Sequence, residues 1–122
     1  MSFYDVLRRF KLLSSLQDKD LSRYQDLCKE AIEDVMARLK VPVESLSDGK
    51  RLRLSYAAGA LAFYKYCLLI SATEPDSFSA GEVKVTISEN KLMASKRLFE
   101  EECRALSDVL SDEGFYFGRV KV

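Results

Sequence analysis

The side chains that most often carry catalysis or bind metals are few and scattered in this sequence. Histidine is absent, which removes the commonest general base and the commonest metal ligand. The three cysteines, Cys28, Cys67 and Cys103, are far apart and form no Cys-x-x-Cys pair. A zinc site would need all three thiolates and a carboxylate brought together from separate helices. We therefore expect buried structural thiols in a reducing compartment, with such a zinc site as the alternative.

Acidic side chains and glycines give no stronger pattern. Carboxylate pairs could be assembled from Glu30, Glu33 and Asp34 or from residues 100–102, but such runs are usually solvated helix faces. A ferritin-like iron site also needs a Glu-x-x-His motif, which a sequence without histidine cannot contain. The five glycines are scattered and form no phosphate-binding loop. The sequence thus predicts no catalytic residues, no metal site, no cofactor and no enzymatic activity.

Length, composition and charge suit one domain that spans residues 1–122. A chain of 122 residues, 48% of them hydrophobic, can bury a core without metals or disulfides. The 19 basic and 19 acidic side chains give a formal net charge of zero, which argues against nucleic-acid binding through bulk electrostatics. Charged residues within the first 16 positions argue against a secretory signal peptide.

The longest apolar stretch, residues 52–72, is the element around which the rest of the chain is predicted to pack. Apart from Lys65, positions 54–72 carry no charge, and a helix that is apolar all round must be enclosed by lipid or by protein. Lys65 would be costly at a bilayer centre, and the tyrosines are spread along the stretch rather than at its ends. We predict a protein-enclosed central helix capped by Ser47 or Asp48, with a membrane span as the alternative.

Two faces of this central helix are expected to meet other parts of a protein. Residues 57–62 are small and smooth, so a terminal segment or another subunit could approach closely there. Lys65 is expected to extend its amine to solvent or to pair with an acidic side chain from another helix, although a buried lysine with a shifted pKa is also conceivable.

Three further segments have the apolar spacing of amphipathic helices. Residues 20–40, which Pro42 is expected to terminate, and residues 90–110 match the central helix in length. Residues 2–13 form a shorter stripe, so residues 1–17 are predicted to be a short helix or an arm that orders against a neighbour. The predicted fold is mainly α: a small bundle of three long helices plus a short N-terminal helix.

Two segments lack helical spacing. Residues 82–88 (EVKVTIS) alternate between apolar and polar side chains, which predicts one short β segment before the last helix. Residues 115–122 (FYFGRVKV) predict an extended tail that is too aromatic to remain in water. A lone strand needs a backbone partner, which could be the tail, the preceding loop or another subunit.

Five segments in a fixed order carry a resemblance to a known family: DLSRYQDLCKEAIEDVMARL (20–39), RLSYAAGALAFYKY (53–66), GEVKVTISEN (81–90), KLMASKRLFEEECRAL (91–106) and FYFGRV (115–120). This order resembles the head–tail connector proteins, or head-completion adaptors, of long-tailed bacteriophages and prophages. Residues 1–16 match no pattern of that family. The most diagnostic segments are residues 81–85 and 115–117.

The resemblance implies a non-catalytic structural adaptor in phage head–tail joining. Such proteins assemble as a ring, dodecameric in the virion, below the portal. The implied partners are copies of the chain itself, the portal protein and a downstream head-completion or tail protein. DNA would only pass through the channel, and no membrane is involved. The implied location is the virion neck, after assembly in the host bacterial cytoplasm.

The residue patterns and the resemblance agree on where subunits or partners would meet. The strand and the tail supply the predicted interface, which consists of Val83, Val85, Ile87, Phe115, Tyr116, Phe117 and Arg119. Aromatic and arginine side chains are favoured at the centres of protein interfaces. The alternative function is a small intracellular helical bundle that binds a regulatory protein partner.

Overall fold

In a computed structural model, residues 1–73 and 89–111 are described, and almost all of their secondary structure is helical. The helices are α1 (Phe3–Ser14), α2 (Asp18–Leu21), α3 (Gln25–Ala37), α4 (Asp48–Thr73) and α5 (Glu89–Ala105), with 3-10 turns at Ser22–Tyr24 and Val43–Ser45. The predicted mainly helical bundle is confirmed. The predicted β segment at residues 82–88 and the tail at residues 115–122 lie outside the described residues.

Helix α4 is the centre of the bundle, because α1, α3 and α5 all pack against it. Among the side chains of α4, Leu54, Ala58 and Cys67 are fully buried in the core. By length and composition, Asp48–Ala72 could also cross a membrane, and 61% of its most apolar 18-residue window is buried inside the bundle. Burial on several sides explains why this helix is apolar nearly all round.

The four longer helices alternate in direction. Met1 lies beside Arg51, and Arg9 lies beside Gly59, so α1 runs parallel to α4. The side chain of Lys50 contacts Asp108 just after α5, so α5 runs antiparallel to α4. The loop after α3 returns to the start of α4, where the Arg51 side chain donates a hydrogen bond to the Val43 carbonyl oxygen. Helix α3 is therefore antiparallel to α4 as well. This is the up-down-up-down order of a helical bundle.

Polar side chains set two of the helix starts. The Ser2 hydroxyl accepts a hydrogen bond from the Tyr4 N–H at the start of α1. This helix ends at Ser14, and the next residue, Ser15, has a left-handed φ of 63°. The Ser47 hydroxyl accepts a hydrogen bond from the Lys50 N–H at 3.1 Å, which confirms Ser47 as a cap of the central helix.

The helix predicted at residues 20–40 is wrong in its bounds. The chain instead forms α2, a 3-10 turn and then α3, which ends at Ala37, well before Pro42. The helix cannot continue because the next residues pair elsewhere. Leu39 forms an antiparallel bridge with Leu110, where the Lys40 N–H donates to the Val109 carbonyl. The same pairing ends the last helix earlier than the predicted residue 110.

Candidate functional site

The predicted interface cannot be placed in the structure. All seven of its residues lie outside the described residues: Val83, Val85, Ile87, Phe115, Tyr116, Phe117 and Arg119. The candidate site is therefore built from residues 1–73 and 89–111. Within this part of the chain, the most unusual features lie where α1 crosses α4.

Helix α1 packs directly on the small residues of α4. A Cβ added at Gly59 would lie 2.6 Å from the Cβ of Arg9 and 3.2 Å from the carbonyl oxygen of Val6. Ala58 and Ala62 nearby are fully buried. The expectation that a terminal segment covers residues 57–62 is confirmed, and the covering segment is the N-terminal helix of the same chain.

An aromatic cluster fixes α1 between α3 and α4. The buried Phe10 ring lies 6.4 Å from the ring of Tyr24 and 5.8 Å from that of Tyr66. Tyr24 and Tyr66 meet edge to face at 4.9 Å, and Phe63 stacks on Tyr66. Such geometries favour the packing beyond the area that they bury. The cluster therefore holds α1 in one position along α4.

A charged cluster joins α1, α4 and α5. The carboxylate of Glu102, 12% exposed, lies 3.7 Å from a terminal nitrogen of Arg9 and 3.9 Å from the Nε of Arg53. The Arg9 guanidinium also lies over the Tyr56 ring at 4.2 Å. The Arg9 Nε and one Glu102 oxygen are buried and make no hydrogen bond within the described residues. This cluster is therefore an ion pair with little hydrogen bonding.

Glu102 is an inward-facing charge that was not predicted from the sequence. It belongs to the acidic run at residues 100–102, and runs of this kind usually face solvent. Glu102 nevertheless follows Phe99 by three positions and precedes Leu106 by four, and both of those side chains are fully buried. Helical spacing places the three residues on one face. That spacing was the signal that could have identified Glu102.

Lys65 is paired rather than isolated. Its ammonium lies 3.1 Å from an oxygen of Asp34 and 3.5 Å from one of Glu30, both on α3, and its side chain is 25% exposed. The expectation that Lys65 meets an acid of another helix is confirmed. The lysine stem covers apolar surface while its amine stays near solvent.

The cysteines are packed as structural thiols. Cys28 and Cys67 are buried and Cys103 is half-buried, and none forms a disulfide. Burial raises the pKa of Cys28 to about 12. Burial, with smaller contributions from Glu102 and Glu100, raises the pKa of Cys103 to about 12. Thiols held neutral in this way are poor nucleophiles. Within residues 1–73 and 89–111, no three cysteine or acidic side chains are grouped to hold a metal ion.

Three adjoining hollows follow α1 and its contact with α4, and we call them together the α1 groove. Their volumes are about 370, 310 and 430 Å³. The first two share Asp5 and Leu52, and the last two share Arg8 and Leu12. The floor and rim carry exposed apolar side chains, since Leu12 is 65% and Leu52 is 42% exposed. The α1 groove is thus an open, partly apolar surface.

The charges that line the α1 groove are predominantly basic. Four basic and two acidic side chains line it: Arg8, Arg9, Lys11, Arg51, Asp5 and Asp48. Each of the four basic groups has an acidic partner, at 3.5 Å for Arg8–Asp5, 3.2 Å for Arg51–Asp48, 2.6 Å for Lys11–Asp18 and 3.7 Å for Arg9–Glu102. The α1 groove is thus an apolar surface bordered by ion-paired side chains, which is the usual pattern of an apolar interface centre with a polar rim.

No protein-family model matches this chain, and neither a curated protein nor a solved structure is significantly similar to it.

Proposed function

We propose that this chain is a non-catalytic structural adaptor in phage head–tail joining, which forms a ring below the portal and presents a surface to the next connector or tail protein. The proposal starts from the sequence resemblance described above. One structural observation supports it: Leu12 and Leu52, from two different helices, are exposed and line the same hollow of the α1 groove, although the bundle already has a packed core.

Helix α1 has buried apolar side chains that belong to the core and other apolar side chains that are exposed. Phe10 and Val6 of α1 are fully buried against the bundle, whereas Tyr4 and Leu12 of the same helix are 69% and 65% exposed. Leu52 of α4 extends the exposed apolar surface across the groove. Single exposed apolar residues are ordinary, but adjoining ones are typical of interaction sites. The pair of exposed leucines in the groove supports the proposed association with another protein.

The charge balance agrees with a role in which DNA passes through the ring. The chain has equal numbers of acidic and basic residues. A channel lined by strongly basic subunits would hold the DNA phosphates and slow its passage. A neutral subunit avoids that attraction.

The test is assembly of the purified full-length chain, alone and with a phage portal protein. We expect rings in negative-stain images and a multi-subunit mass by light scattering, in the free protein or after portal addition. The portal without the adaptor is the control for rings. A chain that stays monomeric at high concentration and does not bind the portal would contradict the proposal. That result would favour the alternative of a bundle that binds a regulatory partner.

A further inference from the structure

We propose that the α1 groove of each subunit binds residues 112–122 of a neighbouring copy. This inference rests on the proposed ring and identifies the contact that would repeat around it. The donor is the segment after the last described residue, Ser111, and the acceptor is the groove between α1 and α4. The supporting observations are position, length and chemistry.

The last described residue, Ser111, lies at the end of the bundle that holds the first hollow of the groove. The Ser111 N–H donates to the Arg38 carbonyl at 2.8 Å, which fixes where residue 112 begins. Lys50, in the first turns of α4, contacts Asp108 through both carboxylate oxygens at 2.8 and 2.9 Å. The first hollow of the groove is lined by Met1 and Asp48, at this same end of α4.

The tail is long enough to fill the groove of another subunit. Eleven residues, 112–122, span about 36 Å when extended, at about 3.3 Å per residue. The groove follows α1 from Met1 to Leu16, which is about 22 Å at the helical rise of about 1.5 Å per residue. About 14 Å therefore remain for crossing between neighbouring subunits.

The chemistry of the tail complements that of the groove. Phe115, Tyr116 and Phe117 can cover the exposed side chains of Leu12 and Leu52. The tail carries two acidic side chains, Asp112 and Glu113, and two basic ones, Arg119 and Lys121, while side chains of both signs line the groove. Aromatic anchors against an apolar surface with a polar rim are the usual composition of a specific interface.

A donor segment and an acceptor surface at different places on one chain produce a head-to-tail contact. Contacts of this type generate a closed ring when the rotation between subunits closes. A tail inserted into the groove of its own chain would instead cover the exposed apolar surface without joining subunits. The ring proposed above therefore favours binding to a neighbour.

Two full-length variants test the inference. The tail variant carries Phe115→Ala and Phe117→Ala and keeps its groove. The groove variant carries Leu12→Glu and Leu52→Glu and keeps its tail; both substituted leucines are exposed, so the core remains. We expect each variant alone to lose the assembly seen with the natural chain. An equimolar mixture should form dimers and nothing larger, because only one tail and one groove of the pair are functional.

The matched control is Met93→Glu, which removes an exposed apolar side chain from α5, 54% exposed and outside the groove. This variant should assemble as the natural chain does. Circular dichroism of all variants checks that helicity is kept. Assembly of the groove variant at the natural level, or monomers alone in the mixture, would overturn the inference.

A second measurement separates this inference from the proposed function. A labelled peptide of residues 111–122 is titrated onto the tail variant and onto a variant with both tail and groove substitutions. We expect at least about tenfold weaker binding to the latter. If the peptide binds but the natural chain never forms rings, the contact between tail and groove is supported and the proposed ring is rejected. The absence of binding, or binding with mixtures that remain monomeric, would reject insertion into a neighbour.

Discussion

At position 59, the missing side chain allows α1 to approach α4. We predict that Gly59→Ala lowers the free energy of unfolding by about 1–3 kcal/mol. Alanine is the better helix former by about 1 kcal/mol, but its Cβ would overlap Arg9 at 2.6 Å and press on the Val6 carbonyl oxygen. The helix α1 would have to shift. Urea unfolding measures the change.

The matched control for this prediction is Gly49→Ala. Gly49 lies in the first turn of the same helix, and an added Cβ would meet only the Ser47 hydroxyl, at 4.0 Å. We expect an increase in the free energy of unfolding of up to about 1 kcal/mol. If both substitutions changed the free energy of unfolding equally, the close packing at Gly59 would make no contribution to stability.

The charge of Glu102 is expected to matter although its hydrogen bonding is poor. We predict that Glu102→Gln lowers the free energy of unfolding by about 1–2 kcal/mol, because Arg9 and Arg53 lose the carboxylate between them. Glu101→Gln, on an exposed position of the same helix, should change it by less than about 0.5 kcal/mol. Thermal and urea unfolding of both variants provide the comparison. If Glu102→Gln left the free energy of unfolding unchanged, the charged cluster would contribute no stability.

Sequence alone predicted some of these residue roles and missed others. The close helix contact at residues 57–62 was predicted because such an approach needs small side chains. The ion pair of Lys65 was predicted because a partly buried charge needs a partner. Glu102 and Arg9 were not predicted as a pair. Their contact depends on which faces of α1 and α5 turn towards each other, and a single helical pattern does not specify that.

At the scale of elements, α1 is an integral part of the bundle rather than an exposed arm. We predict that Phe10→Ala lowers the free energy of unfolding by about 3–5 kcal/mol, because Phe10 is fully buried between Tyr24 and Tyr66. Leu12→Ala, two residues later and mostly exposed, should change it by less than about 0.5 kcal/mol. Urea unfolding is the measurement, and equal effects would contradict this orientation of α1.

The helices themselves were predicted better than their ends. Apolar spacing predicted α3, α5 and, with an arm as its alternative, α1, whereas α4 was predicted from its continuous apolar composition. The ends of α3 and α5 were placed too late, since the Leu39–Leu110 bridge joins residues 71 positions apart and no local signal announces it. The α1 groove was not predicted either, because it arises only when two distant helices are packed side by side.

At the scale of the whole molecule, buried thiols make the free energy of unfolding decrease as the pH becomes alkaline. The pKa of Cys28 rises from 9.0 in its ordinary state to about 12 in the fold, because burial disfavours the thiolate. The stabilisation is complete below about pH 9 and is lost as pH rises towards 12, because the unfolded chain ionises first. We predict a falling free energy of unfolding over this range, by at most about 1.4 kcal/mol per pH unit for each thiol.

Urea midpoints from about pH 8 to about pH 10.5 test this prediction. The control is Cys28→Ala, which removes one of the thiols. Its absolute stability is lower because of the cavity, but its loss of stability with pH should be shallower than that of the natural chain. Parallel curves for the two proteins would show that Cys28 does not contribute to the alkaline dependence.

The bridge between Leu39 and Leu110 determines how mechanical tension in the tail would reach the bundle. Two backbone hydrogen bonds of 2.8 Å, from Ser111 to Arg38 and from Lys40 to Val109, attach the end of the described chain to the segment after α3. A pull on residue 112 would load both bonds and pass into α3, so that force is shared between two helices. These bonds must break before tension can unwind α5 from its end.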